Sequence, residues 1–413
     1  MNPGADAIPH HAPPGAYASM ARPRQIAWVA GELSGDLIAA GALALIGAGS
    51  ATSQRGVGGP AMRKAGLQCD ADIEELSLRG YVEVFRHLPR LLRLRARLTK
   101  LYSRWPADCF VGVDAPDFNL GLERRLRARS IPTVHMVGPS IWAWRPNRKF
   151  RIALCADHLL LLFPFEPPLY QGTGIQTHYV GHPMADAIDF DPDPHEARQA
   201  LGIARYHANT SCPGSRTNGR WICLLPGSRT DEVVQHGPLM LEVAQVLAQK
   251  YPRSIFLIPA ASVALYRILA RQVASGVRYA SDRIFLVLGN ARTCMAASDQ
   301  ILAASGTVCL ESALLGRPLV VTYRMPELSY AWMKRQQLQP WVGLPNILAA
   351  RFLVPELLQR EAQVGTIVDA LEAQWRDEEG RGRLREEFMR MHKELRQDCA
   401  GRTAAVLRTI VGT

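Results

Sequence analysis

From Arg24 onward, short apolar runs alternate with stretches of helical periodicity. Runs at 26–30, 109–113, 133–137, 159–163 and 178–180 are bounded by turn-forming residues, which predicts buried strands separated by helices. A second series at 221–225, 255–259, 284–288, 300–303 and 319–321 repeats the scheme. Strands spaced by helices form parallel sheets, so the fold class is α/β with two doubly wound domains facing each other. The hinge is expected within 186–201, where Asp, Pro and His dominate. The pattern divides the chain into a disordered tail (1–22), a first domain (23–187), a second domain (188–365) and charged helices (366–413). Within the tail, Met20 is a candidate start. Residues 206–220 read as a polar loop inserted before the second domain's first strand.

Four turns carry candidate chemistry. Gly31-Glu32-Leu33-Ser34-Gly35-Asp36 follows the first strand, with a helix expected from Leu37. It is either a ligand-facing turn at the carboxyl end of the sheet or an ordinary turn capped by Ser34 or Asp36. Asp114 and Asp117 follow the run at 109–113; a carboxylate there can act as general base, though Asp117 can also cap the next helix. In the second half, Gly227, Ser228 and Arg229 follow one strand, and Ser305, Gly306 and Thr307 follow another. Backbone N–H groups at such strand-to-helix turns favour phosphate, and an arginine pairs bidentately with a diphosphate. Glu311, one helical turn further on, is placed to accept from a ribose diol. Asp231 and Glu232 read as first-turn residues of a helix.

Trp142, Trp144 and Arg145 join two aromatics to a basic run ending at Arg151. Stacking on single-stranded nucleic acid, lining a sugar or acyl cleft, and anchoring a loop all fit that pattern. Across 80–105, Tyr81, Val84, Phe85, Leu88, Leu91 and Leu92 recur at helical spacing with Arg86, Arg90 and Arg93 between them. Pro89 is expected to break this stretch in two. The segment is either a core-facing helix with a solvated basic face or a surface for anionic lipid.

Composition narrows these choices. The 413 residues carry 48 Lys and Arg against 37 Asp and Glu, a formal charge of +11 that favours an anionic partner. Eight cysteines (69, 109, 155, 212, 223, 294, 309 and 399) show no paired spacing, which favours buried thiols in a reducing, cytosolic compartment over disulfides or zinc. No run approaches the roughly 20 apolar residues of a membrane span. No His, Asp or Glu cluster has metal-ligand spacing, and none is expected to bind a metal.

Taken in order, the motifs resemble the lipid-A-disaccharide synthases, a family of bacterial glycosyltransferases. The residues that carry the resemblance are Ala30-Gly31-Glu32 with Ser34-Gly35-Asp36, Val111 through Asn119, and Pro139 through Arg145. They continue with Pro164-Phe165-Glu166, Gly181-His182-Pro183-Met184-Ala185-Asp186, and Leu225 through Arg229 with Glu232. Ala304 through Thr307 with Glu311, Tyr323-Arg324-Met325 and Leu344 through Leu348 complete the set. Gly138 departs from the serine common at that place in the family.

The resemblance implies a glycosyltransferase B fold: two Rossmann-like domains, an interdomain cleft, and C-terminal helices crossing back to the first domain. It implies a homodimer that exchanges C-terminal parts, on the inner face of the cytoplasmic membrane. The implied reaction is inverting transfer of 2,3-diacylglucosamine from UDP to 2,3-diacylglucosamine 1-phosphate, giving the β(1→6) disaccharide 1-phosphate and UDP. No cofactor is implied, the UDP-sugar being the donor. By this resemblance Asp114, Arg229 and Asn346 are catalytic, with Asn346 contacting donor or acceptor. Gly227, Ser228, Ser305, Gly306, Thr307 and Glu311 hold UDP. Gly31, Glu32, Ser34, Gly35, Asp117, Trp144 and Arg145 fall on the acceptor side, and the basic apolar stretch at 80–105 becomes the dock for acylated substrates. Three readings compete: a UDP-N-acetylglucosamine epimerase or murein-type transferase on the same fold, a nucleic-acid-binding protein, and a peripheral membrane protein without catalysis.

Overall fold

The computed structural model describes residues 22–48, 52–76, 81–203, 220–277 and 281–412, with the backbone alone at 81–87 and 328. Nearly all of the expected N-terminal tail and of the 206–220 loop lies outside these residues. The first half holds β1 (Arg24–Ala30), β2 (Thr52–Gly58), β3 (Gln68–Asp72), β4 (Cys109–Val113), β5 (Thr133–Met136), β6 (His158–Leu161) and β7 (Gln176–Tyr179). They form one parallel sheet in the order β3-β2-β1-β4-β5-β6-β7. The second half holds β8 (Trp221–Leu225), β9 (Ile255–Ala260), β10 (Ile284–Leu288), β11 (Gln300–Ala304), β12 (Leu319–Tyr323) and β13 (Glu356–Leu358). These too are parallel, in the order β10-β9-β8-β11-β12-β13.

Ten of the thirteen strands fall on expected runs, the edge strands β7 and β10 among them. β4 and β8 are buried along their whole length, as strands covered on both faces by helices must be, and so read as unbroken apolar runs. β2, β3 and β13 were not expected. In β2 the inward Gln54 is satisfied locally: it accepts from Trp28 Nε1 at 3.1 Å and donates to Leu43 O at 2.8 Å. Arg55 of β2 pairs with Asp70 of β3. Polar side chains that are paired in this way erase the hydrophobic signature of a strand.

Five helices frame the first-half site: α1 (Leu33–Gly47), α2 (Pro60–Lys64), α3 (Tyr81–Arg104), α4 (Pro116–Arg127) and α5 (Arg148–Ala153). α1 starts four residues before the expected Leu37. α3 is one helix and not two: it runs through Pro89, which forfeits only one backbone donor. Beyond the proline, Leu94, Leu98 and Tyr102 are buried with Phe110 and Leu122, and this packing keeps the axis continuous.

The C-terminal helices cross between the halves. The Glu378–Leu395 helix buries Leu384, Phe388, Met391 and Leu395 in the core of the second sheet. The Cys399–Val411 helix instead buries Cys399, Ala404, Leu407 and Val411 in the core of the first sheet, packed on α1. The Gly181–Asp186 motif holds the crossing. Asp186 accepts from the N–H groups of Asp398 and Cys399 at 3.0 and 2.7 Å, at the start of the last helix. His182 N–H donates to Leu395 O at 2.9 Å. Gly181, at φ +85°, leaves no room for a Cβ, which would stand 2.5 Å from that of Gln397.

Candidate active site

In each sheet the strand order reverses once, between β1 and β4 in the first and between β8 and β11 in the second. Open α/β sheets bind ligands in the crevice at the carboxyl ends of the strands flanking such a reversal. The four expected turns stand at these four strand ends. Gly31 follows β1, Asp114 follows β4, Gly227–Arg229 follow β8, and Ser305–Thr307 follow β11.

At the first reversal the two turns touch. Gly31 N–H points to Val113 O at 3.4 Å, and a Cβ on Gly31 would meet that of Ala115 at 2.1 Å. Asp114 and Ala115 both adopt left-handed backbone, with φ of 52° and 42°, uncommon without glycine and typical of functional turns. Asn119 on α4, fully buried, holds them there: its Nδ2 reaches Val29 O, Val113 O and Asp114 O at 3.1, 3.3 and 2.8 Å. No hydrogen bond or ion pair engages the Asp114 carboxylate among the described residues, and the residue is half-buried. Glu32 and Ser34 are exposed beside it, while Gly35 is buried against Val113.

Asp36 has a different task. It is buried and accepts from the N–H groups of Gly59, Ala61 and Met62 at 2.8–3.0 Å, so it caps α2 and not its own helix. Asp117 does not cap α4 either; the N-cap is Ala115, and Asp117 reaches out to Arg148 at 2.7 Å.

The two tryptophans part company. Trp142 packs edge-on against Phe163 and Phe165, with ring centroids 6.4 and 5.6 Å away, and anchors the loop. Trp144 is 39% exposed, with the Arg145 guanidinium 4.5 Å from its ring centroid. Beneath this loop lies Glu166, buried and accepting from Phe163 N–H at 3.0 Å; burial raises its pKa to about 7. Gly138 also lies here. A side chain at 138 would meet Leu161 Cδ2 at 2.4 Å and Glu166 Oε1 at 3.2 Å, so this core accommodates glycine and not serine.

At the second reversal, Gly227 has φ +126° and Arg229 extends 83% of its side chain into solvent. Part of the expected anion cradle is already used. Glu232 Oε2 accepts from the N–H groups of Ser228 and Arg229 at 3.0 and 3.2 Å at the start of the Thr230–Lys250 helix. The other turn differs: Gly306 and Thr307 are exposed, no side chain caps the Thr307–Leu314 helix, and its N-terminus is open to an anion. Glu311, in that helix, accepts from Arg292 Nε at 2.9 Å with 18% of its side chain exposed.

Asn346 stands apart from the expected ligand contact. It is fully buried, and all of its amide is spent internally: Nδ2 donates to Val354 O and Glu356 Oε1 at 2.9 and 2.8 Å, and Oδ1 accepts from Leu353 and Val354 N–H at 2.7 and 2.8 Å. Glu356 also accepts from Val342 and Gly343 N–H, both at 2.9 Å, so the pair fixes the 342–356 segment. The preceding loop reaches the first half, where Leu338 N–H donates to Ala143 O at 3.1 Å. His236 is a further site-side residue with no sequence signal. Buried against the Tyr323 ring at 4.8 Å, it accepts at Nε2 from Arg324 N–H at the end of β12. Its burial lowers its pKa and keeps the ring neutral for that role.

On α3, Leu88 and Leu92 are exposed beside Arg90 and Arg93, and Leu91 is half-buried. The side chains of Tyr81, Val84, Phe85 and Arg86 lie outside the described residues. No described helix is long and apolar enough to cross a membrane. Among the described residues no group of three His, Cys, Asp or Glu stands where it would hold a metal ion, and six of the seven described cysteines are buried.

A family model described as lipid-A-disaccharide synthetase matches residues 26–411. Lipid-A-disaccharide synthases of Burkholderia mallei (strain SAVP1) and Paraburkholderia phytofirmans are each 44% identical to this chain, over 391 and 393 residues, covering 94% of it and 97% of each relative. Among solved structures, the UDP-GlcNAc 2-epimerase of Neisseria meningitidis bound to UDP-GlcNAc aligns with a TM-score of 0.60 at 13% identity, covering 94% of this chain and 100% of that one. The glycotransferase of kitacinnamycin aligns with a TM-score of 0.60 at 12% identity over the same shares. At such identities these two speak for the fold, which is that of the glycosyltransferase B enzymes. The match across nearly the whole chain settles the family: this protein belongs to the lipid-A-disaccharide synthases.

Proposed function

We propose that the protein transfers 2,3-diacylglucosamine from UDP to the 6-hydroxyl of 2,3-diacylglucosamine 1-phosphate with inversion at the anomeric carbon. The observation that carries this reading is the placement of four motif turns at the two strand-order reversals, Asp114 in one sheet and Arg229 with the 305–307 turn in the other. UDP-bound neighbours of the same fold support a nucleotide-sugar donor.

In this reading the acceptor oxygen bonds to C1 of the donor sugar while the bond from C1 to the β-phosphate oxygen breaks. The hydroxyl proton passes to the Asp114 carboxylate, which no protein group competes for. The departing electron pair leaves on UDP, whose growing charge is met by the exposed Arg229 guanidinium and by the open N–H groups of the 305–307 turn. Glu311 turns from Arg292 to the ribose diol. Asn346 serves as a positioning residue, through the loop that meets Ala143.

The membrane-facing part is α3, where exposed Leu88 and Leu92 with neighbouring arginines suit an anionic lipid surface. The first domain (23–187) is the acceptor side and the second (188–365) the UDP side. The functional unit is a homodimer exchanging C-terminal parts, in which the partner's last helix replaces the contacts that Cys399–Val411 makes on α1. The test is incubation of the native protein with both substrates in EDTA, followed by mass spectrometry and NMR. The β(1→6) disaccharide 1-phosphate and equimolar UDP are expected; free N-acetylmannosamine from UDP-GlcNAc would instead support the epimerase reading.

A further inference from the structure

Between α3, α4 and α5 lies a cavity of about 410 Å³. Four arginines line it, Arg95 from α3, Arg124 from α4, and Arg148 and Arg151 from α5, against the single carboxylate of Asp117. Four cations against one anion leave three positive charges uncompensated within the lining. Arg95 is the most committed of them. Its Nε is buried without a partner, its Nη2 donates to Asp117 O at 2.9 Å, and its guanidinium lies 5.1 Å from the Phe118 ring centroid. Burial and then the charge of Arg125 lower its pKa, and the charge of Asp117 opposes them only in part. Arg124 and Arg151 are exposed at the mouth, and no side-chain hydrogen bond or ion pair ties either to another described residue. The Arg148–Asp117 pair is peripheral, with the Asp117 side chain 95% exposed, and solvent screening keeps such a pair weak. A dianion would displace it.

Two further observations choose among anions. Leu154, 70% exposed, lines the cavity; Phe150 on α5 is 54% exposed, and exposed Leu92 and Leu88 lie about one and two turns before Arg95 on α3. The anion therefore arrives on an acylated molecule. Pro116 and Asp117, two and three residues after Asp114, belong to the lining, so the cavity lies beside the turn that carries the proposed base.

We propose that this cavity holds the phosphate of the acylated acceptor, gripped by Arg95, Arg124, Arg148 and Arg151. The acceptor is thereby oriented with its phosphate away from, and its free hydroxyl towards, Asp114. The identity of the acceptor rests on the function proposed above; the phosphate recognition does not.

The test uses the double variant Arg124→Gln/Arg151→Gln, which removes two charges and breaks no bond in the fold, with a thermal melt as the check on folding. Binding of 2,3-diacylglucosamine 1-phosphate and of 2,3-diacylglucosamine is measured calorimetrically without donor, alongside binding to phosphatidylglycerol vesicles. The native protein is expected to prefer the phosphorylated probe at least tenfold. The variant is expected to lose that preference while retaining vesicle binding, and in turnover to raise the acceptor KM with kcat and donor KM held. A native protein indifferent to the phosphate, or a variant that keeps the preference, overturns the proposal. Loss of vesicle binding with the preference intact also overturns it and makes the cavity a phospholipid headgroup site. Because the preference is read without turnover, a failure of the transferase reading leaves it measurable.

Discussion

At residue scale the tightest constraint is the contact between Gly31 and Ala115. A methyl group at 31 would stand 2.1 Å from the Ala115 Cβ, with both turns held by strands that cannot part. Gly31→Ala should destabilise the fold by about 1–3 kcal/mol, read by thermal unfolding. Adding Ala115→Gly should recover most of this, since it removes the opposing carbon from a residue at φ 42°. Equal instability in the double variant would show that the two turns do not meet. Glu166 gives a pH test. Its pKa of about 7 in the fold lies above the unfolded value near 4.3, so the folded chain binds the extra proton between them. Stability from this group is full below about pH 4 and falls as pH rises through 7, a loss on the order of 3 kcal/mol. Glu166→Gln should flatten that slope in melts between pH 5 and 8. Asp114 and Arg229 are legible in the sequence because each follows an apolar run at a turn. The tasks of Asn119, His236 and Glu356 are not: a polar residue satisfied by backbone groups inside the fold looks, in sequence, like any exposed one. Asn346 misleads for the same reason, its motif being plain and its amide spent inside.

Among the elements, the start of the Thr230–Lys250 helix depends on Glu232 holding the N–H groups of Ser228 and Arg229. Glu232→Ala should cost about 1 kcal/mol of stability. Through the loosened Gly227–Arg229 turn it should also raise the donor KM more than it lowers kcat; an unchanged donor KM would remove this turn from the donor site. On α3, Leu88→Ser/Leu92→Ser should weaken sedimentation with anionic vesicles severalfold and leave the melting temperature within a degree or two, both side chains being solvent-facing. Strands that are unbroken apolar runs, such as β4 and β8, were legible. β2, β3 and β13 were not, because Gln54, the Arg55–Asp70 pair and the Glu356 network make them polar where they are nonetheless ordered. The continuity of α3 through Pro89 was equally hidden, since it is decided by Leu94, Leu98 and Tyr102 packing beyond the proline.

For the whole molecule, two doubly wound halves are tied by helices that cross from the second core to the first, with Asp186 clamping the start of the last helix. The repeated run of strands makes the pair of doubly wound halves readable in sequence; the anchoring task of Gly181, His182 and Asp186 becomes visible only once residues over 200 positions apart meet. The central claim is that the reversal points of the two sheets together form one transferase site with Asp114 as its base. The most direct measurement is kcat for disaccharide phosphate formation by the native protein and by Asp114→Ala, with matching circular dichroism and melting curves. The account predicts a loss of about 100- to 10,000-fold in kcat with fold and donor binding retained. Comparable kcat in a folded Asp114→Ala protein would contradict it and move the base elsewhere.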